Sequence, residues 1–334
     1  MKDSSIRTKS VSTSVHLAGK ILQNLTAIWM GSPENEVYGN SAVLNHFAGV
    51  NGKRLQGRFQ HGWPAHTPNG LYYKNDFLFT YVWRLSTEQA AHRMGWNNFR
   101  AIGAPWLYLL KILEADGWNI SNQEPKDSRG ALLWVYGKHS LEVSNTDNSR
   151  LMHFLAEANA NSSYGDICLL YFEDFDSLSN HDFSHFPNLQ IVTLGQRSSS
   201  FISDSHLTRL FHILKATREL RIDHPSTLVL YALTLDVRIN WVRNSQWEEA
   251  VALAWKLEMN DLVDLMTATP DTSCLFRSFA FEHLGEESLK SREDLKNILL
   301  MGGGYQSLVR FVVLPLLTLL NFPLRVFRKF LSSN

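Results

Sequence analysis

The sequence lacks an excess of charge of either sign. It contains 32 Lys and Arg residues and 32 Asp and Glu residues, so its formal net charge at pH 7 is zero. A protein that attracts nucleic acid through a general positive field has a surplus of basic residues, and this chain has none. We therefore expect no nucleic-acid partner.

Cysteine is also scarce, because only Cys168 and Cys274 occur in 334 residues. Neither these two nor the histidines at 181, 185 and 206 follow a metal-ligand spacing. Cys168 lies in an apolar stretch, which is typical of a buried thiol in a reducing compartment. Residues 1–20 are polar and predict no secretory signal. We expect a cytoplasmic protein without a metal ion or other cofactor.

An uninterrupted apolar run of the ~20 residues that span a membrane is absent. Residues 308–330 are rich in Leu, Val and Phe, but Pro315, Asn321 and Pro323 interrupt them, and Gly302–Gly304 predict a hinge before them. Basic residues flank the run, which favours an amphipathic helical tail that lies on the anionic inner leaflet of the plasma membrane. A terminal helix folded onto the body, or a helix that binds a partner, remains an alternative. The flanking basic residues are Arg310, Arg325, Arg328 and Lys329.

The chain does contain a regular alternation of predicted strands and helices. Short apolar strands are predicted near residues 54–60, 76–83 and 99–103, and again at 131–136, 166–172, 189–194, 220–222 and 237–242, with helices between most of them. This order predicts an α/β fold with parallel sheets. We expect an abbreviated α/β domain over 1–115, a linker over 116–130, a larger α/β domain over 131–300 with helices packing back, and a tail over 301–334.

The most informative turn is Asp223-His224-Pro225-Ser226-Thr227, between a predicted strand and a short apolar helix. Pro225 is predicted at the first helical position, where a missing N–H costs nothing. The two hydroxyls and the free backbone N–H groups of the helix would suit the phosphate of a nucleotide. The alternative is that Ser226 or Thr227 only caps the helix.

Two other polar turns follow predicted strands. In Gln60-His61-Gly62, His61 is a candidate general base or anion ligand, and the alternative is a purely structural turn. The turn that contains His139 and Ser140 offers an imidazole and a hydroxyl to a phosphate, and the alternative is a solvated loop. Both turns belong at the carboxyl edge of a sheet, where ligands of open α/β folds bind.

These turns together resemble those of GT-B type bacterial glycosyltransferases of surface polysaccharide synthesis. Gln60-His61-Gly62 is similar to the His-Gly region of CDP-glycerol and related polymer transferases, and the His-Pro turn at 224–225 resembles the donor-site motif of transferases that use CMP-activated sugars. The segments Val82-Trp83, Ile102-Gly103-Ala104-Pro105 and His139-Ser140 add to the likeness.

The resemblance implies two Rossmann-like halves with a cleft between them, the abbreviated first half binding the acceptor. It implies that a nucleotide-sugar donor, with a CMP-sugar favoured, transfers its sugar to a lipid-linked or polysaccharide acceptor. His61 would lie across the cleft as the base or as an acceptor-side residue. A sugar-nucleotide epimerase of related architecture and a non-catalytic scaffold of polysaccharide assembly remain alternatives. The implied nucleotide-binding residues are His139, Ser140, His224, Pro225, Ser226 and Thr227.

Overall fold

The computed structural model of the protein describes residues 38–50, 57–60, 62–63, 79–118, 130–135, 148–170, 183–194 and 205–308. The first of its two sheets comes from the N-terminal third of the chain, where the short strands alternate with helices. The elements of this part are α1 (Asn40–Ala48), β1 (Arg58–Phe59), β2 (Thr80–Val82), α2 (Leu85–Arg93), β3 (Phe99–Ala101) and α3 (Pro105–Ala115).

The second sheet comes from the middle of the chain, and the described residues that follow it, 245–308, are mostly helical. The elements are β4 (Ala131–Val135), α4 (Asn148–Ala160), β5 (Asp166–Leu170), β6 (Leu189–Thr193), α5 (His206–Ala216), β7 (Thr217–Ile222), α6 (Thr227–Thr234), β8 (Arg238–Trp241), α7 (Ser245–Lys256), α8 (Asn260–Thr267), α9 (Arg277–His283) and α10 (Arg292–Leu308). Short 3-10 turns occur at Phe183–His185, Ser273–Phe276 and Glu286–Ser288.

All strand pairs in both sheets are parallel. The first sheet has the order β1-β2-β3, and the second has the order β6-β5-β4-β7-β8. Counted in chain order, the second sheet is arranged 3-2-1-4-5, which is the order of a Rossmann-like doubly wound sheet. The predicted α/β class with parallel sheets is therefore confirmed.

Helices cover both faces of the second sheet, which is why its strands are apolar on both sides. On one face, Trp134 and Cys168 pack with Leu155 of α4. On the other face, Leu133 and Leu220 pack with residues of α5 and α6 in a larger apolar cluster. The helix that connects β4 to β5 thus lies on one face of the sheet, and the helices that precede and follow β7 lie on the other, as a doubly wound fold requires.

The two sheets share one apolar core. The larger cluster extends from Phe59 and Trp83 of the first sheet region to Leu133 and Ile222 of the second. Trp106 of α3 joins them, because its ring stacks on Tyr231 of α6 at 4.4 Å between ring centroids, and its indole N–H donates to Thr234 Oγ1 over 2.8 Å. The carboxyl edge of each sheet is therefore held at a fixed position relative to the other.

The C-terminal helices return to the first sheet. The backbone N–H of Ala104 donates to the carbonyl of Leu284 over 2.8 Å, and the N–H of Lys290 donates to the Tyr108 hydroxyl over 2.9 Å. Helix α10 continues through Gly302–Gly304, where the sequence predicts a hinge. Each glycine costs about 1 kcal/mol relative to alanine in a helix. The helix still continues, because the turns that precede the glycines are already formed and adding a residue to a helix is easier than starting one.

Within the described ranges, no helix is both long enough and apolar enough to cross a membrane. The apolar tail beyond residue 308 lies outside those ranges, so its contact with a membrane stays a prediction. The proposed domain boundaries also stay a prediction.

Candidate functional site

The strand order of the second sheet reverses between β4 and β7. From β4 the chain winds outward through β5 and β6, and it then crosses to β7 and β8 on the other side. The carboxyl ends of β4 and β7 border the crevice in which ligands of such sheets bind. Residues 223–227 directly follow β7 at this edge. His139 and Ser140 follow β4 in the chain but lie outside the described residues.

The turn after β7 leads into the N-terminus of α6. Helix α6 begins at Thr227, and Ser226 is the N-cap residue, with an extended backbone at φ −144°. Pro225 is buried and precedes the N-cap, so it does not occupy the first helical position as the sequence suggests. The helix thus starts two residues later than the sequence suggests, after the extended N-cap residue Ser226.

The side chain of Ser226 does not cap the helix. It makes no capping hydrogen bond, and its Oγ is shielded from solvent without a partner among the residues that the structure describes. A buried hydroxyl without a partner costs free energy, commonly about 1–3 kcal/mol. The capping explanation for Ser226 therefore lacks the hydrogen bond that it requires.

His224 is held by a chain of polar contacts. Its Nδ1 lies 2.8 Å from Asp223 Oδ1, and Asn244 Nδ2 donates to Asp223 Oδ2 over 3.0 Å. The other end of the Asn244 amide, Oδ1, accepts from the backbone N–H of Trp247 over 3.1 Å and caps α7. The side chains of Asp223 and His224 are 15% and 20% exposed, so both keep some contact with solvent.

The loop after β1 forms the opposite side of the site. Gln60 shapes it, because its amide donates to the carbonyl of Gly62 over 3.0 Å and accepts from the backbone N–H of Trp83 over 3.0 Å. The backbone N–H of Trp63 donates to Thr227 Oγ1 over 2.8 Å. His61, between Gln60 and Gly62 in the chain, lies outside the described residues.

Close approach explains the glycine in this loop. A Cβ at position 62 would lie 3.2 Å from Thr227 Oγ1, tighter than an ordinary van der Waals contact. The loop at the carboxyl end of β1 therefore contacts the N-terminus of α6, the helix that follows the carboxyl end of β7, directly.

His283 supports the contact between Trp63 and Thr227 by binding the indole of Trp63. The Trp63 indole N–H donates to His283 Nδ1 over 3.1 Å, and Arg84 Nη1 lies 3.2 Å from the same nitrogen. With two donors directed at it, Nδ1 must be the acceptor, so the ring is neutral and carries its proton on Nε2. Burial and, to a lesser extent, the Arg84 guanidinium lower the pKa of His283 to about 3. The other end of Arg84 pairs with Glu282 over 2.9 Å.

The structure thus brings together His224, Ser226 and Thr227 with the Gly62–Trp63 loop. It adds three residues that sequence reasoning missed: Asn244, Arg84 and His283. Asn244 follows β8, and the rule that carboxyl ends of parallel strands share an edge would have found it. His283 lies far along the chain, and no feature of the sequence distinguishes it from the other histidines in predicted helices.

Among the described residues, no group of three or more His, Cys, Asp or Glu side chains is arranged to hold a metal ion. Comparison of the chain with protein-family models, with curated proteins and with solved structures finds no match.

Proposed function

We propose that the protein is a GT-B type glycosyltransferase, which moves a sugar from a nucleotide-activated donor to a lipid-linked or polysaccharide acceptor in cell-surface polysaccharide synthesis. The observation that carries the proposal is the hydrogen bond between Trp63 N–H and Thr227 Oγ1. It joins the carboxyl edges of two parallel sheets, the arrangement in which one sheet can bind a donor and the other an acceptor.

The donor side is the crevice between β4 and β7. The N-terminus of α6 offers free backbone N–H groups and the positive end of the helix dipole to a phosphate. Ser226 supplies a hydroxyl that has no partner among the described residues, and His224 supplies an imidazole at the same turn. His139 and Ser140 follow β4 in the chain, so they would reach the same nucleotide from the neighbouring strand. A cytidine nucleotide is the favoured donor because of the His-Pro turn.

The acceptor side is the loop after β1. His61 would lie across the cleft from the nucleotide, as the base or as an acceptor-side residue. The basic, apolar tail at 308–330 would hold the protein at the inner face of the plasma membrane, where lipid-linked acceptors are found.

The chemistry is positioning combined with electrostatic stabilisation. The acceptor oxygen bonds to the anomeric carbon as the bond from that carbon to the phosphate oxygen breaks, and the nucleotide leaves with the electron pair. A base removes the proton of the acceptor hydroxyl. The dipole of α6 and the N–H donors at its start stabilise the charge that develops on the leaving phosphate.

Thermal stabilisation by CMP, CDP, UDP, GDP and dTDP tests the proposal. A nucleotide at ~100 times its Kd adds about 2.7 kcal/mol to the free energy of unfolding, which is readily detected. We expect CMP or CDP to raise the melting temperature and His224→Ala to abolish the shift in a protein that still folds.

The matched control is His212→Ala, which removes an exposed histidine from the second half of α5. It should keep the full nucleotide shift. If none of the five nucleotides changes the melting temperature of the unaltered protein, the donor site is wrongly assigned and a non-catalytic scaffold is the better reading.

A further inference from the structure

The hydrogen bonds around His224 determine which ring nitrogen faces the ligand. A carboxylate only accepts hydrogen bonds, so a ring nitrogen 2.8 Å from Asp223 Oδ1 must carry a proton. That nitrogen is Nδ1. In the neutral ring, Nε2 then has the free lone pair, and in the protonated ring it has an N–H to donate. Within the described residues, Nε2 makes no hydrogen bond.

Asn244 prevents the carboxylate of Asp223 from turning away. Its amide is fixed at both ends, because Nδ2 donates to Asp223 while Oδ1 accepts from the N–H of Trp247 at the start of α7. Rotating the amide by half a turn would place an oxygen against the carboxylate and an N–H against an N–H. The contact from Asn244 therefore links the orientation of Asp223 to the backbone of α7.

We propose that Asp223 and Asn244 are positioning residues of the donor site, which fix the tautomer and the orientation of His224 so that Nε2 faces a phosphate at the N-terminus of α6. The identity of the ligand rests on the proposed function, whereas the tautomer does not. A ring that carries a proton on both nitrogens donates Nε2–H to a phosphoryl oxygen, while Asp223 accepts from Nδ1–H on the other side.

A merely structural role predicts something different. Asp223 and His224 are partly solvated at a sheet edge, and ion pairs in such positions contribute about 0–1 kcal/mol to stability. If the pair served only the fold, changing Asp223 would lower stability slightly and would leave ligand binding as it was. Positioning instead predicts an unchanged fold together with an altered ring and weaker ligand binding.

The tautomer is measured first, on the full chain without ligand. Long-range ¹H–¹⁵N spectra of ¹⁵N-histidine-labelled protein in mildly alkaline buffer distinguish a protonated from a bare ring nitrogen, and His224→Gln identifies the signals. We expect a protonated Nδ1 and a bare Nε2 in the unaltered protein. In Asp223→Asn we expect a mixture of tautomers, because the amide can present its oxygen or its NH₂ to Nδ1. A proton on Nε2 in the unaltered protein overturns the inference.

CMP binding is measured next by titration calorimetry. Asp223→Asn should weaken CMP binding about tenfold, as loss of a charged hydrogen-bond partner does. Asn244→Ala should weaken it less, since the carboxylate remains. The matched control is Asp236→Asn, which changes an aspartate at the opposite end of α6 that pairs with Arg277 over 2.7 Å. It should bind CMP as the unaltered protein does.

The two measurements separate the two claims. If the unaltered protein binds neither CMP nor any other of the five nucleotides, the proposed function fails, and the spectra still decide the tautomer of His224. If CMP binds and Asp223→Asn changes neither the tautomer nor the affinity, the positioning role is wrong and the proposed function stands.

Discussion

Two histidines lie near the contact between Trp63 and Thr227, and their Nδ1 atoms face opposite kinds of partner. Nδ1 of His224 faces the carboxylate of Asp223, which can only accept a hydrogen bond. Nδ1 of His283 faces the indole N–H of Trp63 and the guanidinium of Arg84, which can only donate. The neutral rings therefore carry their protons on opposite nitrogens.

This difference shows that the groups around a histidine determine which ring nitrogen is protonated and what the residue can do. His283 is half-buried beside aromatic rings, 4.1 Å from Phe279 between centroids, and its loss of solvent lowers its pKa to about 3. It stays neutral and supports the loop that carries Trp63. His224 is at the sheet edge, and its Nδ1 lies 2.8 Å from the carboxylate of Asp223. We interpret His283 as a structural residue and His224 as the ligand-binding residue of the proposed function.

The largest effect should come from breaking the packing behind His283. Gly285 follows α9 with φ +76°, and a Cβ there would overlap the carbonyl oxygen of Trp83. Neither the backbone conformation nor the neighbouring backbone can accept a side chain, so Gly285→Ala should lower the free energy of unfolding by about 3 kcal/mol. Urea denaturation measures this loss.

Gly95→Ala is the matched control for that change. Gly95 has φ +81°, and no atom would lie within 4 Å of an added Cβ, so only backbone strain of about 1 kcal/mol is expected. If both variants lose the same stability, the contact between Gly285 and Trp83 is not important for the fold.

Acid should reveal the neutral state of His283. An unfolded chain binds a proton at His283 near pH 6.5, whereas the folded protein binds it only near pH 3. Stability from this residue is therefore complete above pH 6.5 and is lost as the pH falls toward 3, at up to about 1.4 kcal/mol per pH unit. Between pH 6.5 and pH 5 the loss amounts to at most about 2 kcal/mol.

Urea denaturation at pH 6.5 and at pH 5 measures the free energy of unfolding of the unaltered protein and of His283→Gln. Glutamine keeps an acceptor oxygen for Trp63 and Arg84 but does not titrate. Because all other titrating groups are shared, the variant should lose less stability on acidification. Equal losses would mean that His283 is protonated in the folded protein at pH 5.

The sequence predicts the fold and the position of the 223–227 turn, but not the side-chain contacts of the two histidines. Alternating apolar strands and helices were enough to predict a parallel α/β fold, because the period of the pattern follows from the geometry of each element. The turn at 223–227 was placed at the sheet edge for the same reason. The role of Asp223 as the partner of His224 depends on side-chain directions, which the pattern does not contain.

Contacts between distant segments could not be predicted. Trp63 and His283 are 220 residues apart, and they meet only because α9 returns to the first sheet. Arg84 likewise reaches Glu282 across the chain. The prediction that Pro225 opens the helix was wrong by two residues, because helix bounds depend on where the first backbone hydrogen bonds form.

A smaller effect should follow from breaking the bridge between the sheets. Thr227→Val keeps the shape of the side chain but removes the oxygen that accepts from the N–H of Trp63. A half-buried N–H without a partner costs about 1 kcal/mol, and the Trp63 amide should exchange its hydrogen faster. Thr227→Ser keeps the hydroxyl and should keep both the stability and the slow exchange. Fast exchange in the unaltered protein would contradict the bridge.

The smallest effect on stability, and the sharpest contrast, should come from two N-cap serines. Ser205 caps α5 with its Oγ, which accepts from the N–H of Thr208 over 3.1 Å, and Ser205→Ala should cost about 1 kcal/mol. Ser226 occupies the N-cap position of α6 but makes no such bond, and its Oγ is already shielded from solvent without a partner in the part of the chain that the structure describes. Ser226→Ala should therefore change stability by less than about 0.5 kcal/mol or raise it.

Nucleotide binding should reverse that ranking. Ser226→Ala removes a hydroxyl at the proposed phosphate site, so it should reduce the thermal shift caused by CMP, while Ser205→Ala should leave the shift intact in a less stable protein. Urea denaturation and thermal shifts on the same two variants give both rankings. If Ser226→Ala costs as much stability as Ser205→Ala and binds CMP normally, the hydroxyl of Ser226 stabilises the helix and does not bind the nucleotide. Ser226 is then an ordinary helix cap.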